Sequence, residues 1–384
     1  MKKILLILLI SIINKSFSQN RLNGIVLDYE TKKPIEYVDI YNNTNFTSTN
    51  SDGKFLFITE QDSIKIRLMG YKTIYSTFEK IKSDTIFLES KFEVLDEIIV
   101  GNSNSIKNIY KEIDKNYPFT PHSESFFLRC VIKKNGEIVK LQDLNGMVNR
   151  KTLFSSEKKP IPKKNYEIEV LNMRKAGIKE KYINVNMFSF QQILDVVNPI
   201  TLNTEQFSFS KIKSKNYEFD KYYFTSNSKN ESKSEGYYLV NNKDNAIIEF
   251  ESNDDNSNDS FIEKGSVKYR TTSFKLFISF KKNFLDSKYY VSKINMKAQL
   301  ELINKNETTI YDLAYSWITL DNTIQEIKNK TSIKKDIFKL KKTYNSEFWK
   351  KQKYLLLTNE MSEFLEKLDD SEKEFKTSTN MKKE

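Results

Sequence analysis

The feature that most constrains the fold of this sequence is a strict alternation of apolar and polar residues in its last third. Every second residue of Ser292–Leu302 is apolar, and Thr309–Leu320 repeats the pattern with large apolar side chains on one face. These apolar residues are Ile294, Met296, Ala298, Leu300, Leu302, Tyr311, Leu313, Tyr315 and Trp317. A repeat of two residues is the period of a β-strand. The two segments therefore predict long antiparallel strands with one apolar face and one wet face.

Strands of this length predict a large, curved sheet. Ten residues at ~3.3 Å each span roughly 33 Å, and the concave face must be filled by helices, by a ligand or by aromatic side chains. Asn135-Gly136 predicts a tight hairpin between Phe126–Lys133 and Glu137–Leu144, because both turn positions need positive φ. Further strands are predicted at Phe207–Ile212, Tyr217–Thr225, Glu235–Val240, Ala246–Glu251 and Phe274–Lys281.

Helices and loops interrupt this strand-rich part of the chain. Apolar residues recur at helical spacing in Ser105–Tyr117, which predicts an amphipathic helix that ends before Pro118. A second, short helix is predicted over Met187–Val197. Lys158–Lys164 is predicted to be a basic, proline-bearing loop, and Ser252–Ser260 a polar loop.

The N-terminal segment consists instead of short strands between turns. Turn residues at Thr31–Pro34, Asn50–Gly53 and Met69-Gly70 separate the strand candidates. The strand candidates are Leu22–Asp28, Tyr37–Tyr41, Phe46–Thr49, Lys54–Ile58, Ser63–Leu68, Tyr71–Phe78 and Asp84–Leu88. The predicted core consists of Ile25, Val38, Ile40, Phe55, Phe57, Ile64, Ile66, Leu68, Ile86 and Leu88. Seven short strands at this spacing predict a β-sandwich.

A set of residues in this segment carries a family resemblance. They are Gly24, Val26, Asp28, Pro34, Ile35, Val38, Thr47, Thr49, Asp52, Gly53, Phe55, Met69, Gly70 and Tyr71. Their pattern resembles the carboxypeptidase regulatory-like domain, a transthyretin-like β-sandwich. The resemblance implies a non-catalytic module of secreted proteins, which also forms the N-terminal extension of TonB-dependent receptors. Peptidase activity is not implied, because a metallocarboxypeptidase holds zinc with two His and one Glu, and this chain has one His.

A Leu-Asp-Glu-aliphatic run follows the predicted sandwich at Leu95–Val100. It is similar to the run that lies between this module and the plug in TonB-dependent receptors. Two interpretations stay open, a TonB-box-like segment and an apolar linker strand. A receptor would also need a plug and a barrel of roughly 22 strands, for which the rest of the chain is too short.

The first 18 residues predict export. Lys2 and Lys3 precede an apolar run over Ile4–Ile13, and Ser16 and Ser18 supply the small residues of a signal-peptide cleavage site. A membrane anchor is the alternative, but a spanning helix needs ~20 apolar residues. We therefore expect an exported mature chain without a transmembrane anchor, in the periplasm, at the outer membrane or outside the cell.

The positive charge does not indicate a nucleic-acid-binding protein. The formal charge of +11 falls to 11 − 3 = +8 without Lys2, Lys3 and Lys15. The remaining basic residues are interleaved with Asp and Glu, and no recognition helix or zinc-finger spacing accompanies them. We expect no nucleic-acid partner. Solvated lysine-rich faces and a basic surface for anionic polysaccharide or lipid headgroups both stay open.

The one cysteine and the one histidine are the first candidates for chemistry. Cys130 lies in an alternating apolar strand and is predicted to be a buried small residue. A thiol–imidazole pair with His122 is the alternative, since a catalytic cysteine needs a nearby base that removes the proton of its thiol.

Acidic residues give the remaining candidates. Asp195, Glu249 and Glu251 could form a carboxylate pair for hydrolysis, but the sequence does not give their separation. Asp254, Asp255 and Asp259 imitate a calcium loop without the glycine and terminal glutamate of an EF-hand. No catalytic, cofactor-binding or metal residue is therefore assigned, and we expect neither a cofactor nor an enzyme activity.

The domain organisation follows from these segments. We predict a signal peptide at 1–18, the sandwich at 19–92, a linker at 93–104, a β-rich domain with a leading helix at 105–343, and a C-terminal helical region with a charged tail at 344–384. Thr358 is a candidate N-cap in the last region. The apolar stripe of that region is Leu357, Met361, Phe364, Leu365 and Leu368.

The predicted fold class is mainly β, with a seven-stranded sandwich followed by a larger antiparallel, half-barrel-like curved sheet and a few helices. The order of strands in that sheet resembles the half-barrel of periplasmic lipoprotein carriers. We expect a non-catalytic binding or scaffolding protein, with an outer-membrane protein, a glycan or a lipid as candidate partner. The alternatives are an accessory component of a TonB-linked outer-membrane uptake system and a carboxylate-based hydrolase.

Overall fold

The structure, a computed structural model, describes residues 19–81, 84–91, 98–100, 103–155, 159–177, 188–212, 218–227, 233–283, 285–321 and 326–368. These residues form two compact units. The sandwich unit contains the described residues up to Lys91 together with Lys351–Ser362, and the large-sheet unit contains the others. The predicted signal peptide, residues 1–18, and the charged tail, Asp369–Glu384, lie outside the described residues.

Two sheets face each other in the sandwich unit, as the sequence predicts. Within the described residues its strands are β1 (Asn20–Asp28), β2 (Asp39–Tyr41), β3 (Phe46–Ser48), β4 (Lys54–Thr59), β5 (Ser63–Arg67), β6 (Ile74–Thr77) and β7 (Thr85–Leu88). One sheet has the order β4-β1-β7 and the other β3-β2-β5-β6. β7 runs parallel to β1, and the other neighbours are antiparallel. The seven-stranded sandwich is confirmed.

The sandwich core is apolar and differs from the predicted core at two positions. Its buried residues are Val26, Val38, Ile40, Phe55, Phe57, Ile64, Ile66, Ile86 and Leu88. Val26 replaces the predicted Ile25, and Leu68 lies at the margin. Inward positions alternate along β1, from Leu22 at the margin of the core through Gly24 to Val26, so Ile25 points the other way. At Gly24 an added Cβ would lie 2.5 Å from the Asp84 carbonyl oxygen.

The C-terminal region differs from the predicted helical region. Its helices are α4 (Ser346–Lys351) and α5 (Asn359–Lys367), and between them the chain is extended. That extended stretch belongs to the sandwich unit. The predicted cap is correct, because the Met361 amide donates to Thr358 Oγ1 at 3.2 Å, and Phe364 is the buried residue of α5.

The large-sheet unit contains twelve strands in its described residues. They are β8 (Ile98–Val100), β9 (His122–Lys134), β10 (Glu137–Arg150), β11 (Tyr166–Gly177), β12 (Phe207–Ile212), β13 (Phe219–Ser226), β14 (Lys233–Asn241), β15 (Ala246–Asp255), β16 (Ile262–Lys264), β17 (Val267–Lys282), β18 (Tyr289–Asn304) and β19 (Glu307–Asp321). Their order is β11-β10-β9-β19-β18-β17-β15-β14-β13-β12-β8, with β16 beside β17. All neighbours are antiparallel. The sheet is open, because β11 and β8 do not pair.

Tight turns set the long hairpins of this sheet. Asn135 and Gly136 join β9 to β10 with φ of 50° and 88°. Lys305 and Asn306 join β18 to β19 with φ of 47° and 68°. Positive φ at both turn positions matches the twist of the flanking strands, so these turns hold the hairpins in register. The hairpin predicted at Asn135-Gly136 is confirmed.

Helices cover one face of the large sheet. In the described residues before β9 and between β11 and β12 they are α1 (Ser103–Lys111), α2 (Ile113–Asn116) and α3 (Phe190–Asp195), with a 3₁₀ turn at Asn198–Ile200. The predicted helix at Ser105–Tyr117 is thus two helices, interrupted at Glu112. α3 begins with a capping box between Ser189 and Gln192, which satisfies its first amides.

Aromatic side chains join these helices to the sheet. Phe126 of β9 packs on Phe190 of α3 with ring centroids 6.0 Å apart, and stacks on Trp317 of β19 at 4.1 Å. Tyr238 of β14 hydrogen-bonds to Tyr110 of α1 at 3.0 Å. We call this side of the sheet the helix-covered face. Helices and aromatic residues, two of the three fillings that the sequence left open, lie on this face.

Further segments of the large-sheet unit differ from their predictions. The predicted linker at 93–104 contains a strand, because Ile98–Val100 pairs with β12; the Leu95–Glu97 part of the TonB-box-like run lies outside the described residues. The predicted loop at Ser252–Ser260 begins as strand, since β15 continues to Asp255 beside β14. β11 was not predicted. Among the described helices, none is both long enough and apolar enough to cross a membrane.

Candidate functional site

The thiol and the imidazole do not form a catalytic pair. Cys130 and His122 both lie on β9, eight residues apart, which is roughly 26 Å along a strand. Cys130 is buried, and burial raises the pKa of its thiol well above the ordinary value. The buried small residue predicted from the sequence is the correct interpretation of Cys130.

The three carboxylates proposed for hydrolysis lie on opposite faces of the large sheet. Asp195 ends α3 on the helix-covered face, where it accepts a hydrogen bond from Tyr166 Oη at 2.9 Å. Glu249 and Glu251 flank Phe250, whose ring packs against Tyr238 on that same face. Because side chains alternate along a strand, the two glutamates point the other way. The structure therefore separates Asp195 from Glu249 and Glu251, which share the other face near Tyr237.

The aspartates of the calcium-like segment are held by protein groups. Asp254 accepts hydrogen bonds from Ser234 Oγ at 2.6 Å and from Ser252 Oγ at 2.8 Å. Asp255 is the next residue of the same strand and therefore points to the other face. No group of three or more His, Cys, Asp or Glu side chains suited to a metal occurs in the described residues.

The structure does bring His122 and Asp195 into one buried polar cluster, the Arg150 cluster, with Glu124, Arg150 and Tyr166. Strand register places it, because Arg150 of β10 lies between His122 of β9 and Tyr166 of β11. Glu124 follows two residues after His122 and shares its face. The Tyr166 hydroxyl then ties the cluster to α3 through Asp195.

An ion pair lies at the centre of the Arg150 cluster. Arg150 Nε donates to Glu124 Oε2 at 3.3 Å, and both side chains are fully buried. His122 Nδ1 donates to the Thr120 carbonyl at 3.0 Å, and its Nε2 lies 3.7 Å from Glu124 Oε1. Burial by itself would raise the pKa of Glu124, but the charge of Arg150 and the contact with His122 outweigh it and lower that pKa.

A second buried ion cluster crosses the same three strands on the opposite face. Asp143 of β10 accepts from Nε and Nη2 of Arg129 at 2.8 and 2.9 Å, and from Nε and Nη2 of Arg174 at 2.9 and 2.8 Å. The indole of Trp349 lies 4.6 Å from the Arg174 guanidinium. Burial opposes ionisation of Asp143, yet the two arginines lower its pKa. We call this the Asp143 cluster.

Both clusters connect neighbouring strands through buried ion pairs, and neither forms an accessible reaction centre. Glu124, Asp143 and Arg150 are almost completely buried, so no substrate can reach their charged atoms in this conformation. An ionised carboxylate paired with arginine is also a poor base. No sequence signal located them, because Glu124 and Arg150 lie outside the strands predicted at Phe126–Lys133 and Glu137–Leu144.

The sandwich unit contains a different kind of contact, along the outer edge of β3. The Ser48 amide donates to the Tyr354 carbonyl at 3.0 Å, and Ser48 forms a parallel bridge with Leu355. Thr47 Oγ1 donates to the Lys353 carbonyl at 2.5 Å, and Asn50 Nδ2 donates to the Leu357 carbonyl at 2.9 Å. Residues 353–359 therefore lie on this edge like an added strand. We call this the strand-acceptor edge.

Polar side chains close the far end of the strand-acceptor edge. The Asn359 amide donates to Asp52 Oδ2 at 2.8 Å, and Lys54 Nζ donates to Asn359 Oδ1 at 2.9 Å. Leu355 and Thr358 are buried. Thr47 and Asp52 belong to the residues that carry the family resemblance, but nothing in the sequence indicated that they would hold a segment about 300 residues away.

Comparisons with known proteins give no family for this chain. No family model matches it, and no curated protein matches it. Among solved structures, an outer membrane lipoprotein-sorting protein domain from Vibrio parahaemolyticus is 10% identical, with a TM-score of 0.25 over 58% of this chain and 94% of that one. Lipovitellin is 7% identical, with a TM-score of 0.24 over 57% and 27%. The MucA/MucB complex of Pseudomonas aeruginosa is 8% identical, with a TM-score of 0.19 over 56% and 93%. Likeness at this level identifies neither fold family nor function.

Proposed function

We propose that this chain is an exported, non-catalytic binding or scaffolding protein whose sandwich unit is the interaction module. The strand-acceptor edge is the observation that carries the proposal. Its contacts to residues 353–359 are mainly to backbone carbonyls, through Thr47, Ser48 and Asn50. Addition of a strand to an exposed sheet edge is a common way in which domains bind polypeptides.

Two sequence features support the location and the module type. The Met1–Ser18 segment favours export to the periplasm or the outer-membrane face. The resemblance of Leu22–Phe57 to carboxypeptidase regulatory-like domains favours a non-catalytic module. Of the candidate partners, an outer-membrane protein suits an edge that holds backbone groups better than a glycan or a lipid does.

The large sheet is a weaker candidate for ligand binding. α1 and α3 and their aromatic contacts occupy the helix-covered face in the described residues. An accessory role in TonB-linked uptake would rest on Leu95–Val100. Since Ile98–Val100 is hydrogen-bonded to β12, those residues would have to leave the sheet before they could pair elsewhere, and no further observation favours this role.

Site-specific photocrosslinking in the producing cells tests the proposal. A photoreactive residue is placed in the full chain at Asn43 or Asn45, which are exposed in the turn before β3, or at Leu285, which is 96% exposed in the large-sheet unit. We expect a discrete crosslinked product from at least one sandwich position and none from Leu285. Products from Leu285 alone, or none from either sandwich position, would contradict the proposal.

A further inference from the structure

We infer that the strand-acceptor edge is an exchangeable site. Residues 353–359 occupy it within the chain, and an extended segment of a partner protein, with an aliphatic residue at the place of Leu355, takes their position. The inference rests on the proposed function, because it names the partner chemistry and the regulation of the same edge. Three observations support it. The edge contacts backbone groups of the segment, few side chains of the segment are buried, and the donors of an uncovered edge can pair with another strand.

The edge recognises backbone rather than side-chain identity. Thr47 Oγ1, the Ser48 amide and Asn50 Nδ2 each donate to a carbonyl oxygen of the segment, at 2.5, 3.0 and 2.9 Å. Every residue of an extended chain has such a carbonyl. At Lys353, Tyr354 and Leu357 these contacts therefore place no requirement on the side chain of the bound strand.

Only two side chains of the segment are buried. Leu355 is 4% exposed and Thr358 is 6% exposed, while the other residues of 353–359 are half-buried or exposed. Regions with few buried apolar contacts open at a lower free-energy cost than the global unfolding of a domain. The segment can therefore leave while the apolar core of the sandwich stays folded. Leu355 supplies the one apolar preference of the site.

The edge favours a new occupant once the segment leaves it. Thr47 and Ser48 are completely buried and Asn50 is 2% exposed with the segment in place, so its departure would expose their donors to water. Their donors would lose the carbonyls of the segment if it left, and an unpaired edge is prone to pair with another strand. Release within the chain is thus coupled to capture of a second strand. Occupancy by residues 353–359 is then a form of autoinhibition that a partner strand must overcome.

A peptide-binding experiment on the full chain tests the exchange. The probe is a fluorescent peptide with the sequence of residues 352–360, QKYLLLTNE, and binding is followed by fluorescence anisotropy. In a Leu355→Asp chain the internal segment is weakened, and we expect the peptide to bind at least tenfold more tightly than it binds the unmodified chain. A peptide with Asp at the Leu355 position is the matched control and should bind at least tenfold more weakly.

A second substitution locates the bound peptide. Thr47→Val removes one donor to the segment while keeping the shape of the side chain, so we expect it to weaken peptide binding by the Leu355→Asp chain about fivefold. The matching Ser76→Ala change on β6, the other edge of the same sheet, should not affect binding. Equal loss from both changes, or tight binding of the control peptide, would overturn the inference.

Amide exchange on the unmodified chain keeps the inference testable if Leu355→Asp does not fold. We expect the Ser48 amide, which the segment protects, to exchange at least tenfold faster than the Val26 amide within the core sheet. Exchange of both at the same rate would mean that the segment leaves only on global unfolding, and the inference would be wrong. A segment that opens but binds no peptide would also overturn it, whereas the proposed function would still depend on the crosslinking result.

Discussion

The sandwich unit and the large-sheet unit use their buried polar groups in different ways. The sandwich core is entirely apolar, and most buried polar side chains of this unit lie in or next to β3, where Thr47 and Asn50 hold backbone carbonyls. The large sheet buries charges across adjacent strands, in the Arg150 cluster and the Asp143 cluster. A backbone partner can be replaced by another strand, but a buried charge needs specific side chains of opposite charge. The difference suggests that exchange belongs to the sandwich and rigidity to the sheet.

The largest effect should come from removing a charge from the sheet. Asp143→Ala leaves the buried Arg129 and the half-buried Arg174 without their shared carboxylate, which should destabilise the large-sheet unit by about 3–5 kcal/mol. Urea unfolding followed by tryptophan fluorescence measures this, because the chain's two tryptophans, Trp317 and Trp349, both lie in that unit. Glu263→Ala, which removes an exposed pair with Lys268, is the control and should have no measurable effect.

The proposed difference between the two units would be wrong if Asp143→Ala also destabilised the sandwich unit. Amide exchange of Val26 and Phe57 in the sandwich core should remain unchanged in that variant. Equal loss of protection in both units would mean that the two unfold as one cooperative body.

A smaller effect is expected from shortening the buried side chain at the strand-acceptor edge. Leu355→Ala should destabilise the segment by roughly 2 kcal/mol, at the low end for a buried leucine because the site lies at an edge. The Ser48 amide should then exchange faster while tryptophan-detected unfolding stays the same. Leu356→Ala, at a half-buried neighbour, is the control. Unchanged exchange at Ser48 would show that Leu355 does not hold the segment.

Loss of the helix cap should have a weaker effect again. Thr358→Ala removes the hydroxyl that accepts from the Met361 amide and should cost about 1 kcal/mol. Hydrogen exchange over the first turn of α5 would report the loss. Lys367→Ala at the exposed end of the same helix should not change that exchange, and equal effects of the two substitutions would remove the capping argument.

Mild acidification should give the smallest change, and it should affect the two units differently. Glu124 and Asp143 have folded pKa values below their ordinary values of 4.5 and 3.8. Each carboxylate therefore stabilises the fold fully above those ordinary values, and that stabilisation is lost as pH falls through the folded pKa. Between pH 7 and 5 we expect no change in tryptophan-detected unfolding, and below pH 4.5 a progressive loss.

The matching carboxylate in the sandwich is Asp28, and it makes the acid comparison sharper. Backbone and side-chain hydrogen bonds from Thr31 lower its pKa in spite of some burial, but it lies near the surface. Protonation of Asp28 should therefore have little effect on the sandwich. The sandwich core should keep its amide protection at a pH where the sheet has begun to lose stability. A sandwich that loses protection first would reverse the comparison.

Local chemistry made much of the fold predictable. Turn residues with positive φ, such as Asn135-Gly136 and Gly53, and the alternation of apolar residues locate most of the strands. β11 was not predicted, because its alternation of apolar and polar residues is interrupted at a bulge opposite Asn145 and Gly146. The first half of β17, Val267–Ser273, was not predicted, because most of its side chains are half-exposed and polar.

The clusters and the strand-acceptor edge could not be predicted, for two physical reasons. The tight turn after β9 alone would pair Arg129 with Gln142, but a bulge between Ile138 and Lys140 shifts the register and brings Arg129 opposite Asp143. A shift of one residue moves every side chain to the other face. The contact between Thr47 and Lys353 depends on chain closure over 306 positions, which leaves no local pattern.

The position of residues 353–359 in the sequence also has a consequence in time. The other strands of the sandwich are complete once Lys91 has been synthesised, but the segment that covers β3 comes 352 − 91 = 261 residues later. At roughly 5–20 residues per second, the edge stays uncovered for roughly 13–50 s. During that interval a chaperone or a neighbouring nascent chain can add its own strand. A chain that stops before Lys353 would keep that vulnerability permanently, so quality control of this protein should depend on its C-terminal segment.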